Sequence, residues 1–532
     1  MSDDRGRAGD DAPGGSEPGS AGESTGQSPL RRRLRNAVGV RVGVDRRALA
    51  AFRIALGTVL LVDLGLRARN LRAFYTDAGV LPRSALAEAY PLAARFSLHA
   101  VSGATPPVAL LFLVAGAAAV ALAVGHRTRL AAAVSLVLLA SLQARNPFVL
   151  NAGDKLLAQL LAAGLFCPLG ARWSLDAVRG RPSSGELVHT ARNRFVGPAS
   201  ALLLAVVVVV YLANAVEKLR GTAWLRGEAV GQVFRLTYLH GPLGELFPEV
   251  PALLAVATYG WLALLVASPL LVASAGRVRA ALTGSLVAAH LSMALALQLG
   301  VFPLVSAAGL LPFFPPFVWG RVEEVVGPTG ARLRRSAESV LANDPRNGGP
   351  RDRATRGPPD RAVGTPPGRT VSGRVATAVA AVLLVSLLAW NGMAVGLVDA
   401  PEPVATTADP TEYGWDMFAP NPSSIDARLL ATATTADGDA VDALYGDPVA
   451  VDRPPSDARA YPTARWRKYL TLLAGDGAPG RVDPLLAYLC DRSAGLAGEG
   501  AASVTVSMVE IDVTEGGEAR VRKLGTRGCR SG

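Results

Sequence analysis

Apolar residues in this chain come in long runs rather than in short alternations. Nine runs follow a polar start: Ala48 to Leu66, Pro107 to Val124, Arg129 to Ala144, Leu156 to Leu169, Pro198 to Val216, Val250 to Ala275, Ala280 to Leu299, Val301 to Val318 and Val375 to Val398. Most approach the roughly 20 residues with which a helix crosses ~30 Å of hydrocarbon. The pattern therefore predicts an all-α polytopic membrane domain of about nine transmembrane helices. The third and fourth runs are short, which implies tilt or burial among neighbours. The seventh and eighth are nearly continuous. At ~1.5 Å per residue a single helix from Ala280 to Val318 would be about twice too long, so a reversal is expected at Gly300 and the Phe302-Pro303 step.

Outside the runs the pattern changes. Residues 1–44 form a basic and polar tail, and its first part is so rich in Gly, Ser, Asp and Glu that it has little to bury. Such a segment cannot offset the entropy of ordering, and disorder is predicted. Residues 321–374 read as a linker, flexible from Asn343 to Arg374 where Pro, Gly and Arg replace any apolar period. The last helix is placed at 375–398. From Asp399 there are 20 acidic and 13 basic residues and no span. Period-2 alternation over Asp426 to Ala443 and Ser503 to Lys523, around Asp437-Gly438-Asp439 and Glu515-Gly516-Gly517, predicts two hairpins. Tyr461 to Leu473 and Pro484 to Leu496 have helical spacing. Residues 399–532 are thus expected to form a small C-terminal α+β soluble domain, beside a transmembrane domain over 45–320.

The net charge of +11 would point to nucleic acid in a soluble chain. Here the Arg residues sit in short connections between apolar runs, where membrane orientation accounts for them, and no nucleic-acid partner is expected. With the N-terminus inside, 27 Lys and Arg fall in the tail from Arg31 and the connections on its side, and 11 on the other. The positive-inside rule then predicts a multi-pass protein of the cell membrane with a cytoplasmic N-terminus and an exterior C-terminal domain. The first apolar run opens only near Ala48 and is long enough to remain as a span, so no secretory signal peptide is expected. Cys490 and Cys529 share the exterior domain, an oxidising compartment, and are predicted to form a disulfide; two buried thiols are the alternative.

Phosphate-binding glycine loops, His-Glu-x-x-His, Cys-x-x-Cys and nucleophile-elbow motifs are all missing, and five scattered His and three distant Cys argue against a metal site. Chemistry is sought instead among polar groups at membrane depth. His290, near the middle of the seventh run, must face protein or water; it reads either as a proton carrier or ligand contact, or as a neutral ring bonding a neighbouring helix. Lys218 ends the fifth run. An amine held partly dry there could act as a base, and simple snorkelling to the headgroups is the competing account. Asp63 and Arg67 read as a local i,i+4 pair, and Arg53 as a residue that snorkels back to its own headgroups. Arg67, Arg69, Arg72, Arg145 and Arg235 fall on the side that orientation depletes of positive charge, and a solvated surface or an anionic headgroup would account for them.

Phe52-Arg53-Ile54-Ala55-Leu56-Gly57, Phe74-Tyr75-Thr76-Asp77-Ala78-Gly79-Val80-Leu81-Pro82, Lys218-Leu219-Arg220-Gly221-Thr222-Ala223-Trp224-Leu225-Arg226-Gly227-Glu228 and Gly300-Val301-Phe302-Pro303 together resemble the horizontally transferred transmembrane (HTTM) domain family, related to the vitamin K-dependent gamma-carboxylases. The resemblance covers about residues 45 to 320. It implies a membrane-embedded cavity opening outward, in which Lys218 matches the lysine that acts as base on a lipid quinone. Tyr211, Trp224 and Phe302 are then candidate cofactor-binding residues and His290 a second candidate catalytic group. The family's other catalytic element, a histidine in an Asn-His-aromatic stretch, has no counterpart: that region reads Asn146-Pro147-Phe148-Val149-Leu150-Asn151-Ala152-Gly153-Asp154-Lys155.

Two functions follow. One is a non-catalytic membrane protein that anchors the exterior domain, or senses through it, and binds a hydrophobic ligand. The other is a carboxylase-like enzyme with a lipid-quinone cofactor and Lys218 as base. In either case Lys218 and His290 are expected to belong to one cavity in the outer half of the membrane domain, separated in depth by ~15 Å.

Overall fold

Local caps and breakers set the helix boundaries. A computed structural model describes residues 29–179, 193–246, 250–327, 371–449, 458–459, 461–474, 479–494, 501–514 and 519–529. The start of the tail, most of the linker and the Glu515-Gly516-Gly517 turn lie outside the described residues. The main helices are α1 (Pro29–Val42), α2 (Arg46–Ala68), α3 (Thr105–Val124), α4 (Thr128–Arg145), α5 (Ala152–Gly164), α6 (Pro198–Leu219), α7 (Pro251–Val266), α8 (Gly276–Ala296), α9 (Phe302–Leu310) and α10 (Val371–Ala394). Asp45 caps α2 by accepting the Arg47 N–H at 2.8 Å. Asn151 and Asp154 form a reciprocal capping box at the start of α5.

Among the described residues six helices, α2, α3, α4, α6, α8 and α10, are long and apolar enough to cross a membrane; the bent pair Phe302–Phe313 and Pro316–Gly327, at 107°, makes seven if counted as one span. The other predicted runs fold as shorter helices, of 13 residues in α5, 16 in α7 and 9 in α9. Proline explains two of these breaks. Pro269 follows the end of α7 and begins a separate turn at Leu270–Ala273, and Pro312, Pro315 and Pro316 end the path of α9. Between α8 and α9 the chain leaves helical structure at Leu297 and passes through Gly300 at φ +63°. It re-enters at Phe302 with Pro303 in the first turn, where a missing N–H is harmless.

Close packing is clearest between α2 and α3. A Cβ on Gly57 would sit 2.7 Å from the Cβ of Ala123 and 2.8 Å from the carbonyl oxygen of Ala119, so the two backbones approach as only glycine allows. Phe52, Leu56, Leu157, Leu160, Leu203 and Val207 fill the bundle interior. Apolar side chains also cover its outside, with Leu113 72%, Val256 68% and Val385 65% exposed. An outer surface of this kind is stable in lipid and not in water, and the protein is a membrane protein.

The bundle has two distinct ends. At the near end, α1 leads into β1 (Val44–Asp45), which pairs antiparallel with β2 (Arg194–Phe195). At the far end sits the C-terminal domain. Its sheet has the order β4-β3-β5-β6, with β3 Ile425–Thr434, β4 Ala440–Asp442, β5 Ser503–Asp512 and β6 Ala519–Gly528, all antiparallel. Helices α11 (Ala464–Ala474) and α12 (Pro479–Ser493) complete it, and Cys490 is bonded to Cys529 with Cα atoms 5.5 Å apart. Its core of Leu429, Val504, Met508, Leu470 and Leu489 is continuous with Phe74, Tyr75, Phe148 and Val149 of the bundle. Trp466 packs against Phe74 with ring centroids 4.7 Å apart and the planes tilted by 53°.

Candidate functional site

The otherwise apolar α6 carries Tyr211, Asn214 and Lys218 at i, i+3 and i+7, which places all three on one face. Each is buried, with Lys218 only 1% exposed. Burial on this scale excludes snorkelling. The Lys218 amine instead donates to the main-chain carbonyls of Met417 and, at 3.4 Å, Phe418, and lies 4.0 Å from the centre of the Trp224 ring. Carbonyl dipoles and an aromatic face are what a cation needs where water is excluded.

The carbonyls belong to residues 415–423, a segment ahead of the C-terminal sheet that is suspended from side chains of the membrane domain. Asn214 Nδ2 donates to Trp415 O at 3.0 Å and Met417 O at 3.2 Å; Trp224 Nε1 donates to Phe418 O at 2.8 Å. The Ala223 N–H reaches Asn421 Oδ1 at 2.8 Å, and Gln232 Nε2 reaches Pro422 O at 3.0 Å. Gly221 is the point of closest approach, because a Cβ there would overlap the carbonyl oxygen of Pro420. The segment therefore covers Lys218.

His290 is fully buried one layer deeper. Its ring lies 5.7 Å from Tyr211, 5.4 Å from Trp261 and 5.9 Å from Phe302, centroid to centroid. Nδ1 lies 2.8 Å from the carbonyl of Leu286 on its own helix rather than on a neighbour, while Nε2 and the Tyr211 hydroxyl have no hydrogen-bond partner among the described residues. Tyr211 links the two groups: it contacts His290 and stands two helical turns, about 10 Å, from Lys218. Lys218 with Trp224, and His290 with Tyr211 and Phe302, thus form two adjoining groups, and the space directly over the lysine is filled by chain.

A third cluster involves residues that sequence patterns did not bring together. Arg67 Nε donates to Asp63 at 2.6 Å, and Arg67 also reaches Asp154 and, at 2.9 Å, the Tyr75 hydroxyl. Arg465, from α11, enters from the C-terminal domain. It reaches Asp63 Oδ1 at 2.6 Å, Asp154 Oδ1 at 3.1 Å and the Val149 carbonyl at 3.0 Å. Burial opposes the charge of Arg465, but Asp154 and Asp63 outweigh it and hold its pKa above the ordinary guanidinium value. Asp63 and Arg67 do form the local i,i+4 pair read from the sequence, and that pair is also half of a buried, neutral quartet.

Arg53 and Arg145 are likewise 0% exposed. Arg53 donates to the carbonyls of Leu122 and Trp173, and Arg145 to that of Leu81. Arg145 also lies 3.8 Å from the carboxylate of the exposed Asp77. Asn214, Trp261, Asp154 and Arg465 were all missed as site residues. The signal available for Asp154 was an acid beside an apolar run, one helix away from a second acid at Asp63.

Residues 43–319, just over half of the chain, match the sequence profile of the HTTM domain. No curated protein and no solved structure matches the chain.

Proposed function

Because the chain belongs to the HTTM domain family, we propose that its membrane helices serve as an anchor that holds the C-terminal domain rigidly against one face of the cell membrane. One observation carries this reading: Arg465 of the C-terminal domain is buried between Asp63 and Asp154 of the bundle, where it is the second cation of a neutral quartet. A flexible tether would leave that arginine in water, whereas two carboxylates of the bundle compensate its burial here. The excess of Arg on the near-end connections supports a cytoplasmic N-terminus and an exterior C-terminal domain. The proposed units are the tail to residue 44, the membrane domain over 45–320, the linker to 374, the last helix and the domain from 399.

The test is limited proteolysis of the full chain in proteoliposomes. Arg465→Ala is expected to make the C-terminal domain susceptible while the spans stay protected. Unchanged proteolysis would overturn rigid anchoring. Single-cysteine labelling of intact cells near Gly14 and Gly498 checks orientation, with only the second expected to react from outside.

A second reading is favoured by the polar face of α6. Tyr211 and His290 present unpartnered polar atoms inside an aromatic box with Phe302, and Lys218 and Trp224 stand at its mouth. Their chemistry, polar atoms among aromatic faces, suits a ring with polar edges such as a lipid quinone, for which the packed rings would have to part; when reduced it would supply the oxidisable ring. Lys218 would be its base. The cover at 415–423 must first leave, because it occupies the donors of the amine. Lipid mass spectrometry of the purified chain decides here: a quinone retained by wild type and lost or inert in Lys218→Arg would make the enzyme reading the primary one.

A further inference from the structure

The near end of the bundle holds a cation whose surroundings leave it unsatisfied. Arg279, one turn into α8, is 4% exposed. Its Nη1 donates to the Arg41 carbonyl at 3.0 Å, and its guanidinium lies 5.3 Å from the centre of the Phe313 ring, but Nε and Nη2 have no hydrogen-bond partner among the described residues. A guanidinium buried with free donors and no counterion is expensive, and an anion is the group that would offset the cost.

Arg279 lines a small cleft, partly open to solvent, and three further features of that cleft point the same way. Arg194, half-buried on β2, is a second cation on its wall. Ala275 and Gly276 put the N-terminus of the 21-residue α8 on the wall as well, and no side chain caps that terminus. Its first N–H groups are therefore free donors at the positive end of the helix dipole. The acid on the lining, Asp45, is already engaged by Arg47, whose N, Nε and Nη2 lie 2.8, 3.1 and 2.9 Å from its oxygens. It is not the counterion of Arg279.

We propose that this cleft binds a phosphate group, with Arg279, Arg194 and the first N–H groups of α8 as donors. Phosphate suits a compact pocket that combines forked guanidinium donors with a helix N-terminus. Its source is either the headgroup of an anionic phospholipid, which the Arg-rich sequence of α1 would attract to this end, or a free phosphate or phosphate ester.

The test uses the delipidated full chain in non-ionic detergent. Dioleoyl phosphatidic acid and dioleoylglycerol, which differ only in the phosphate, are compared by native mass spectrometry, and inorganic phosphate is titrated by calorimetry. Phosphatidic acid is expected to bind at one site and dioleoylglycerol not to. Arg279→Gln and Arg194→Gln should each weaken binding about tenfold or more, as loss of a charge-assisted hydrogen bond would. Retained phosphatidic acid that inorganic phosphate does not displace identifies the headgroup as the source. Inorganic phosphate that binds alone and displaces the lipid identifies a soluble phosphate. If neither probe binds wild type more tightly than both variants, the proposal is wrong. Arg194 is half-buried, so its variant decides the matter should Arg279→Gln fail to fold.

Discussion

Both ends of the helical bundle bury arginine, and they do it in opposite ways. At the far end Arg67 and Arg465 share Asp63 and Asp154, so that two cations and two anions close on one another. At the near end Arg279 keeps Nε and Nη2 free beside a second arginine and an uncapped helix start. The first arrangement is complete and its role is architectural. The second is complete only with something added. The two sites differ not in depth, since both are almost wholly buried, but in that carboxylates neutralise Arg67 and Arg465 whereas Arg279 has none among the described residues.

Removing one partner of the complete quartet should have the largest effect. Arg465→Ala leaves two buried carboxylates with one cation and is expected to cost about 3–5 kcal/mol in thermal or denaturant unfolding of the detergent-solubilised chain. Adding Asp154→Asn to that variant should recover part of the loss; no recovery would mean that the quartet does not act as a unit.

Acidification should come next. His99 lies outside the spans, and burial, followed by the charges of Arg67 and Arg145, lowers its pKa to about 4. The unfolded chain binds a proton near pH 6.5 that the folded chain refuses, so the contribution is complete above ~6.5 and lost as pH falls to about 4. It amounts to ~3 kcal/mol. Thermal unfolding should show this slope, and His99→Phe should flatten it.

Gly221→Ala should act more locally. Its Cβ would displace Pro420 and lift the cover, at a cost of roughly 1–3 kcal/mol for an overpacked contact. Acylation of Lys218 by a small activated ester, read by peptide mass spectrometry, is expected to speed up several-fold. An unchanged rate would show that the cover does not limit access.

The smallest effect is expected at the incomplete site. Arg279→Gln removes a charge that the chain does not compensate, so unfolding of the lipid-free protein should stay within about 1 kcal/mol of wild type. A loss as large as that of Arg465→Ala would erase the contrast between the two ends.

Much of the bundle was legible in the sequence because long apolar runs have few alternatives to helices in lipid. The shortening of α7 and α9 was harder to read, since hydropathy averages over the prolines at 269, 312, 315 and 316 that interrupt the backbone. Lys218 and His290 stood out as ionisable groups in apolar runs. Arg465 did not, because in an amphipathic helix of a polar domain an arginine looks solvated, and its carboxylates lie 311 and 402 residues earlier in the chain. Arg279 was counted only towards orientation. Charge statistics register that a cation is present near a membrane surface, whereas the absence of its partner is a property of three-dimensional packing.

Those sequence separations also impose an order on biogenesis. Asp63, Arg67 and Asp154 are translated and inserted as a trio with one negative charge in excess, and Arg465 is synthesised 311 residues after Asp154. At 5–20 residues per second the trio waits roughly 15–60 s for its fourth member. During that interval the far end of the bundle carries an exposed acidic pair, a feature that chaperones of membrane insertion could retain. Chains truncated before α11 never lose it, so arrival of Arg465 is the step that neutralises the far end of the bundle.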